Sequence, residues 1–400
     1  MRLLVVSHTP HYRTDEGLAG WGPTVRELDH LASLFKRVVH VAPVHAHEGS
    51  APASSRIYRA PNLRVQPLAP SGGPGLAAKL GILGGAPTFW ATLLDEITRS
   101  DVVHVRAPAN VALLALLVRR LAPSLPWWAK YAGNWRPEGE AAQREALSYR
   151  LQRAMLRRPA KNMAVTVNGR FDGDGPHIRP FLNPSLDDED LRRAREAGEK
   201  ELDSSLRLLF VGRLDEAKGA ARALEVAAEL GASSLENVSS VAIDIAGDGP
   251  LRGELDRQAQ ELGVEARFHG WLPRPALDEL YRRAHFIVLP SLASEGWPKV
   301  LSEAMAWGVV PVASDISAIP GILGELGVGA AVPARDISAA RDAILDILTR
   351  EGGFAAESRR AGDAAERFSY RCYLEAVRVL FASRFGLEIG KITRHRREAP

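Results

Sequence analysis

The 400-residue sequence predicts an α/β protein built from two doubly wound parallel-sheet domains. Three observations carry this expectation. The chain is long for one hydrophobic core and comfortable for two. Short β-branched and aliphatic runs alternate along it with longer stretches of helical period. Those runs are apolar throughout instead of alternating with polar residues, the pattern of strands covered by helices on both faces.

Taken in order, RLLVVS opens the first domain as a strand and leads to a helix expected over about residues 23–35. The strand VVHVA follows, and after it DVVHV, the helix ANVALLALLVRRLA and the strand WWAKYA. A long helix is expected from Glu138, and NMAVTV closes the series. After Val167 the texture changes: NGRFDGDGPHIRPFLNPSLDDED is rich in Gly, Pro and acidic residues and reads as a linker followed by a surface helix. From Leu206 the rhythm resumes with LRLLFV, a helix over 219–230, VAIDIA, a helix over 251–262, ARFHG, HFIVL and VVPVAS. The expected domains are residues 1–183 and 184–369, with a helix over about 370–386 and a basic tail, 387–400, expected to be disordered. Ligands of such sheets bind at the carboxyl ends of the strands, so two facing sheets would hold theirs in the cleft between them.

Composition excludes several classes. Apolar residues at 46% and charged residues at 25% are ordinary for a soluble globular protein and exclude wholesale disorder. A net charge of +3, with the basic residues dispersed, argues against a nucleic-acid partner. The single cysteine, Cys372, rules out an internal disulfide framework and suits a reducing compartment. No run reaches the ~18 apolar residues of a membrane helix, so the expected location is the cytoplasm, or at most a membrane surface.

The segment SEGWPKVLSEAMAWGVVPVAS, residues 294–314, holds the strongest chemical signal. Glu295 and Glu303 stand in it with seven residues between them, amid side chains apolar enough for a core. Pro298 suits the first turn of a helix and Gly308 the residue beyond its end, which predicts a helix over 298–307. Glu303 then falls roughly 7.5 Å along the axis, with Glu295 in the loop ahead of the helix. Between them lie the free N–H groups and positive dipole end, a ready anion site. A ligand with a central diphosphate and hydroxyl-bearing rings at both ends matches this layout, since carboxylates accept strongly from sugar hydroxyls. The competing reading makes Glu295 an exposed loop residue and Glu303 part of a solvated helix face. FVGRLDEAKGA shifts the balance, because it sets Arg213 and Lys218 directly after a strand of the same domain, where cations complement a diphosphate. IAGDGP follows the next strand with glycines that would let backbone approach a ligand.

VGRLDEAKG, IAGDGP, FHGWLP and EGWPKVLSEAMAWGVVPVAS, in this order, resemble the donor domain of the retaining GT-B glycosyltransferases of family 4, closely over about residues 206–315 and loosely elsewhere. The resemblance implies a GT-B fold of two Rossmann-like domains. It implies that Glu295 holds hydroxyls of a donor sugar and Glu303 the ribose of its nucleotide, with Arg213 and Lys218 stabilising the diphosphate as it leaves. Gly212, Gly247, Trp297, Pro298, Lys299 and Val300 would line the donor, and the loop Gly270, Trp271, Leu272 would approach the base. DEGLAGWGPTVRELDHLASLF resembles the family's glycine loop before its first helix, with Gly20 or Gly22 facing phosphate; the spacing does not decide which. FSYRCYLEAVRVLFASRF resembles the last helix, which returns to the N-terminal domain. Such enzymes often carry a His in the loop where this chain reads WWAKYAGNW. Either Asn134 or Tyr131 takes over its polar contact, or the site is altered. His8 and His11, with Asp15 and Glu16, are further residues placed for the acceptor side or for an exposed loop, and His104 reads as a core histidine.

The implied reaction is retaining hexosyl transfer from a nucleotide-diphosphate sugar to a sugar, lipid or small-molecule hydroxyl, with domain closure excluding water. A sugar-nucleotide epimerase and a sugar-nucleotide-binding protein without transfer are the alternatives. No cofactor and no catalytic metal are expected. VVSHTPHYR lacks the glycines of a nicotinamide-binding turn, and Asp172 and Asp174 in FDGDG read as a turn in preference to a D-x-D metal motif. In YRLQRAMLRRPAK, Leu147, Leu151 and Met155 share one helix face opposite Arg150, Arg153 and Arg157, as in membrane-surface helices. A solvated face is the expectation there, with membrane contact as the alternative.

Overall fold

The computed structural model describes residues 1–45, 51–70, 76–143, 145–233, 238–293 and 295–390, with backbone alone at 76–86, 140 and 141. The described chain forms two compact units. Residues 1–135, 142–181 and 370–400 make the first, and residues 136–141 and 182–369 the second.

The first unit begins with β1 (Arg2–Val6), whose four valine and leucine side chains are all fully buried. The stretch expected as a loop is instead a hairpin, β2 (His11–Thr14) and β3 (Gly17–Trp21), turned by Asp15–Glu16. The turn residues and the short HYRT alternation explain it: four residues are enough for one arm once β4 offers an edge beyond His11 and Tyr12. Next come α1 (Gly22–Ala32), β4 (Arg37–His45), β5 (Ser55–Ile57), β6 (Leu63–Leu68), α2 (Leu76–Thr98) and β7 (Val102–Ala107). After α3 (Asn110–Val118) and β8 (Trp127–Tyr131), the single long helix expected from Glu138 is two, α4 (Gly139–Gln143), whose residues 139–141 count with the second unit, and α5 (Leu147–Arg157). The sheet closes with β9 (Met163–Val167) and β10 (Ile178–Pro180). Its parallel strands run in the order β6-β4-β1-β7-β8-β9-β10.

Each face of this sheet has its own core. On one, Phe89, Leu93 and Ile97 of α2, Ala112, Ala115 and Leu116 of α3, and Leu156 of α5 pack on Val103, Val105 and Trp127. On the other, Leu28 and Leu31 of α1 meet Val5, Val38 and Trp128, together with Tyr373, Val377 and Phe381 from the far end of the sequence. Those last three belong to a helix, Tyr370–Phe385, that is part of this unit although the whole second unit is encoded before it. A buried carboxylate ties the pieces. Glu27 of α1, 1% exposed, accepts from Arg106 of β7 at 2.6 Å, from Lys130 of β8 at 2.7 Å and from the Tyr373 hydroxyl at 3.1 Å. The expected tail begins later than position 387: Ile389 is buried and the Gly390 N–H donates to the Leu34 carbonyl. Residues 391–400 lie outside the described residues.

The second unit opens with α6 (Asp188–Glu196), capped by Asp187 in a capping box with Asp190. It continues through β11 (Ser205–Val211), α7 (Ala220–Gly231), β12 (Ser240–Ala246), α8 (Arg252–Glu261) and β13 (Glu265–Gly270). Then follow α9 (Arg274–Arg283), β14 (Phe286–Leu289), α10 (Lys299–Ala306), β15 (Val310–Ser314) and α11 (Ile319–Leu326). β16 (Ala330–Val332), α12 (Ile337–Thr349) and α13 (Gly353–Ala365) complete it, and α14 is the Tyr370–Phe385 helix of the first unit. The strand order is β13-β12-β11-β14-β15-β16, all parallel. Sequence order reverses between β11 and β14, and the crevice at the carboxyl ends of two such strands is where sheets of this kind bind their ligands.

Candidate active site

The crevice between the β11 and β14 loops is where the second unit gathers most of the residues singled out in its sequence. Gly212 follows β11, Gly247 follows β12, and Gly270 ends β13, so three glycines stand side by side at neighbouring strand ends. Their spacing has a packing cause. The Gly212 N–H donates to the Ala246 carbonyl at 3.0 Å and the Gly247 N–H to the Gly270 carbonyl at 2.8 Å. Gly247 has a φ of +145°, and a Cβ there would stand 1.8 Å from the Gly212 carbonyl oxygen. A Cβ is excluded there by another loop of the protein, so packing alone accounts for a glycine at this position.

Asp215 shapes the loop after β11. Its carboxylate accepts from the Lys218 backbone N–H at 2.9 Å and from the Arg213 guanidinium at 2.5 Å. Burial raises its pKa, but these donors outweigh that and hold it below the usual carboxylate range. Arg213 remains 73% exposed, its charge available to solvent. Lys218 reaches across to the β14 loop and forms an ion pair with Glu295. The two loops are joined a second time where the Leu292 N–H donates to the Ala217 carbonyl at 2.7 Å.

Beyond Glu295, Trp297 departs from its expected role. It is 3% exposed and stacks on Phe368 with centroids 5.0 Å apart, its indole N–H directed to the Ser302 hydroxyl. It is a core residue that fixes the approach of the chain to α10. Pro298 occupies the N-cap, Lys299 and Val300 open the helix, and no side chain caps it. Gly308, at φ +70°, terminates it as expected. The uncapped N-terminus therefore lies between the loop bearing Glu295 and the helical Glu303.

Glu303 is held by residues that sequence reasoning passed over. Arg274 at the start of α9 lies 3.0 Å from one carboxylate oxygen, and the Tyr281 hydroxyl donates to the other at 3.3 Å. Arg274 also donates to Asp278 at 2.8 Å and lies 3.6 Å from Asp190. Burial alone would lower the pKa of this guanidinium, but the surrounding carboxylates raise it. Burial pushes the Tyr281 hydroxyl well above its ordinary value, so it stays a donor. The signal available in WLPRPALDELYRR was an arginine, an aspartate and a tyrosine at helical spacing. Trp271 and Leu272, at the end of β13, are exposed and half-buried respectively. On the two strands leading there, His269 and Asp244 form a further pair at 2.6 Å.

A cavity of about 430 Å³ lies at the opposite, amino ends of β11 and β14, lined in part by Lys200, Arg207, His285 and Trp307. Lys200 is committed there to the carbonyls of Tyr281, Arg282 and Ala284, which close the end of α9. The crevice at the carboxyl ends is the better candidate, because α/β sheets of this kind bind ligands at that end.

The first unit places its candidates differently. Gly20 lies inside β3, where a Cβ would meet the His11 ring at 2.7 Å, and Gly22 begins α1, where it would meet the Ser54 carbonyl at 2.6 Å. Both therefore answer to protein packing. His11 is fully buried and bonds the Tyr58 hydroxyl at 3.0 Å, which itself bonds His40 at 2.8 Å; it is not an exposed loop residue. Tyr131 is a core residue at 1% exposure, its hydroxyl accepting from Arg153. His8 and Asp15 are exposed, and Asn134 is buried in the loop after β8. His104 stacks on Trp128 within the core, as expected. Asp174 accepts from the Trp135 indole at 3.0 Å, and among the described residues no His, Cys, Asp and Glu cluster could hold a metal ion.

Residues 192–368 match the family model described as "Glycosyl transferases group 1". The chain carries a glycosyl transferases group 1 domain. A phosphatidyl-myo-inositol mannosyltransferase of Mycolicibacterium smegmatis is 33% identical over 164 residues, 41% of this chain and 41% of that protein. A D-inositol 3-phosphate glycosyltransferase of the same organism is 33% identical over 175 residues, 42% of this chain and 38% of the relative. The chain thus spans about two fifths of the length of the curated relatives it matches. Among solved structures, a sucrose-phosphate synthase from Thermosynechococcus elongatus superposes with a TM-score of 0.66 at 19% identity, covering 96% of this chain and 99% of that one. Anabaena HepE in complex with UDP gives 0.64 at 16% identity, covering 96% and 100%. At such identities these likenesses concern the fold, which is GT-B: two Rossmann-like parallel-sheet units, the second of them the group 1 domain. The glycines, Lys218, Glu295, α10, Glu303 and Arg274 all fall inside the group 1 domain.

Proposed function

We propose that this chain is a metal-independent glycosyltransferase that moves a hexosyl group from a nucleotide-diphosphate sugar to an acceptor hydroxyl with retention of anomeric configuration. The observation that carries the reading is the uncapped N-terminus of α10 lying between Glu295 and Glu303, with Lys218 and Arg213 on the adjoining loop. A helix end and two cations suit a diphosphate, and a carboxylate on either side suits the hydroxyls of a sugar and a ribose. HepE, a fold neighbour, binds UDP and UDP-glucose, which supports a nucleotide-sugar donor. The acceptor class is a sugar, a lipid or a small molecule. Lys218, Arg213 and the helix end stabilise the charge that develops on the leaving diphosphate, so no carboxylate nucleophile and no metal is needed. The leaving phosphate takes up the acceptor proton as the new glycosidic bond forms on the same face. Arg274 and Tyr281 act on Glu303, holding its carboxylate in one orientation towards the ribose.

Incubation with a panel of nucleotide sugars tests the reading. Slow release of nucleoside diphosphate is expected; an isomerised donor would assign an epimerase, and binding without turnover a sugar-nucleotide-binding protein. Turnover should survive excess chelator. Loss restored by manganese or magnesium would return attention to Asp172 and Asp174.

The two glutamates should separate in binding. Free nucleoside diphosphate keeps the ribose but lacks the sugar, so Glu303→Ala should weaken it roughly ten- to a hundredfold, the worth of a hydrogen bond to a charged group. Glu295→Ala should not weaken that affinity, since it frees Lys218 for the diphosphate, and should lower turnover instead. Calorimetric titration of both variants decides, with Glu303→Gln included because Arg274 loses a partner in the alanine variant. Equal losses in Glu295→Ala and Glu303→Ala, or none in either, would sink the assignment.

A further inference from the structure

Helix α5 of the first unit does not divide into the two faces read from its sequence: Leu156 and part of Met155 join the core with Gln152 and Arg153, while Leu147 and Leu151 are left at the surface beside Arg150 and Arg157. Gln152, fully buried, accepts from the Ala109 N–H at 3.1 Å, and Arg153, 7% exposed, pairs with Glu145 and donates to the Tyr131 hydroxyl. Leu147 is 78% exposed and Leu151 48% exposed, one helical turn apart. The neighbouring segments on the same face of the sheet repeat this spacing: Leu117 of α3 and Leu121 of the single 3-10 turn that follows it are 44% and 71% exposed, and Trp90 and Leu94 of α2, which packs beside α3, are 37% exposed each. Three neighbouring helical segments thus each present an i, i+4 apolar pair to solvent, whereas isolated exposed leucines would call for no explanation.

The charge around them is one-sided. Residues 102–171 hold twelve arginines and lysines against three glutamates, and although Arg106 and Lys130 are buried on Glu27 and Arg153 on Glu145, several of the others stand at the surface. Arg120, Arg150, Arg158 and Lys161 are exposed and, among the described residues, have no carboxylate partner. Apolar side chains rimmed by unpaired cations fit the boundary between acyl chains and acidic headgroups. Among the described residues no helix is long and apolar enough to cross a membrane, so the contact is one of lying on the surface.

We propose that the outer face of the α2–α3–α5 layer docks on an anionic lipid surface. The proposal does not depend on sugar transfer. Leu121, Leu147 and Leu151 enter the headgroup region, and Arg120, Arg150, Arg158 and Lys161 meet lipid phosphates.

Cosedimentation of the full chain with phosphatidylcholine vesicles, with and without phosphatidylglycerol, tests it. Binding is expected to the acidic vesicles, to fall with added salt, and to be weak on phosphatidylcholine alone. Each basic residue near such a surface contributes roughly fivefold, so Arg150→Glu with Arg158→Glu should weaken binding at least about 25-fold. Leu121→Ser with Leu147→Ser should weaken it at least about tenfold while leaving the melting temperature in place, since both side chains are exposed. Absence of binding to acidic vesicles would overturn the proposal. So would binding that survives the leucine pair, which would place the contact elsewhere in the chain. Self-association in light scattering that the leucine pair abolishes, without vesicle binding, would give the face to a second copy instead.

Discussion

Lys218→Ala should lower the turnover number by about two to three orders of magnitude, the loss that accompanies removal of one donor aimed at developing negative charge. The fold should be unaffected, because the Lys218–Glu295 pair is partly exposed and pairs of that kind contribute about 0–1 kcal/mol. The pair also predicts how the loss arises. In the free protein the ammonium is neutralised by Glu295, and in the proposed reaction it turns to the leaving diphosphate. Lys218→Arg keeps the charge but not its compact shape, so partial recovery is expected. The measurement is steady-state turnover with saturating donor. A value within about threefold of the unmodified protein, against the loss expected for such a donor, would remove Lys218 from the reaction.

Glu27→Ala should be the most damaging single change to the fold. It leaves Arg106 and Lys130 buried beside each other without the carboxylate between them, and breaking such a pair by removing one partner costs about 3–5 kcal/mol. For a unit of this size that corresponds to a fall in melting temperature of roughly 6–20 °C. Glu27→Gln keeps an acceptor for Lys130 and Tyr373 and should fall between. Calorimetry gives the comparison, and a shift below about 2 °C in Glu27→Ala would show that the two cations are satisfied without it.

The strands were legible because burial on both faces leaves a continuous apolar run, as in RLLVVS and FIVL, and because proline and glycine mark the two ends of α10. What the sequence could not convey was partnership at a distance. Glu303 and Arg274 are 29 positions apart, and only the packing of α9 beside α10 brings them within 3.0 Å. The same holds for Trp297, which the family resemblance set along the donor and which Phe368, 71 positions on, holds in the core by stacking. Helix α5 shows the limit most plainly: its apolar and basic faces were visible in the periodicity, but Gln152 and Arg153 turn inward because Ala109, Tyr131 and Glu145 satisfy them. The hairpin of β2 and β3 escaped because its first arm is too short for a pattern and gains its stability from the edge of β4.

The placement of α14 sets an order of events during synthesis. Tyr373, Val377, Leu380 and Phe381 complete a core whose other walls, Leu3, Val5, Val38, Trp128 and Phe181, leave the ribosome far earlier. At about 5–20 residues per second, the roughly 200 residues between Phe181 and the end of α14 take about 10–40 s to translate. The later-encoded unit can therefore close before the earlier one, whose sheet waits with one apolar face half covered. A fragment ending before Tyr370 would hold that face open permanently, so the first unit is a product of two segments that flank the second and cannot be expressed from the earlier one alone.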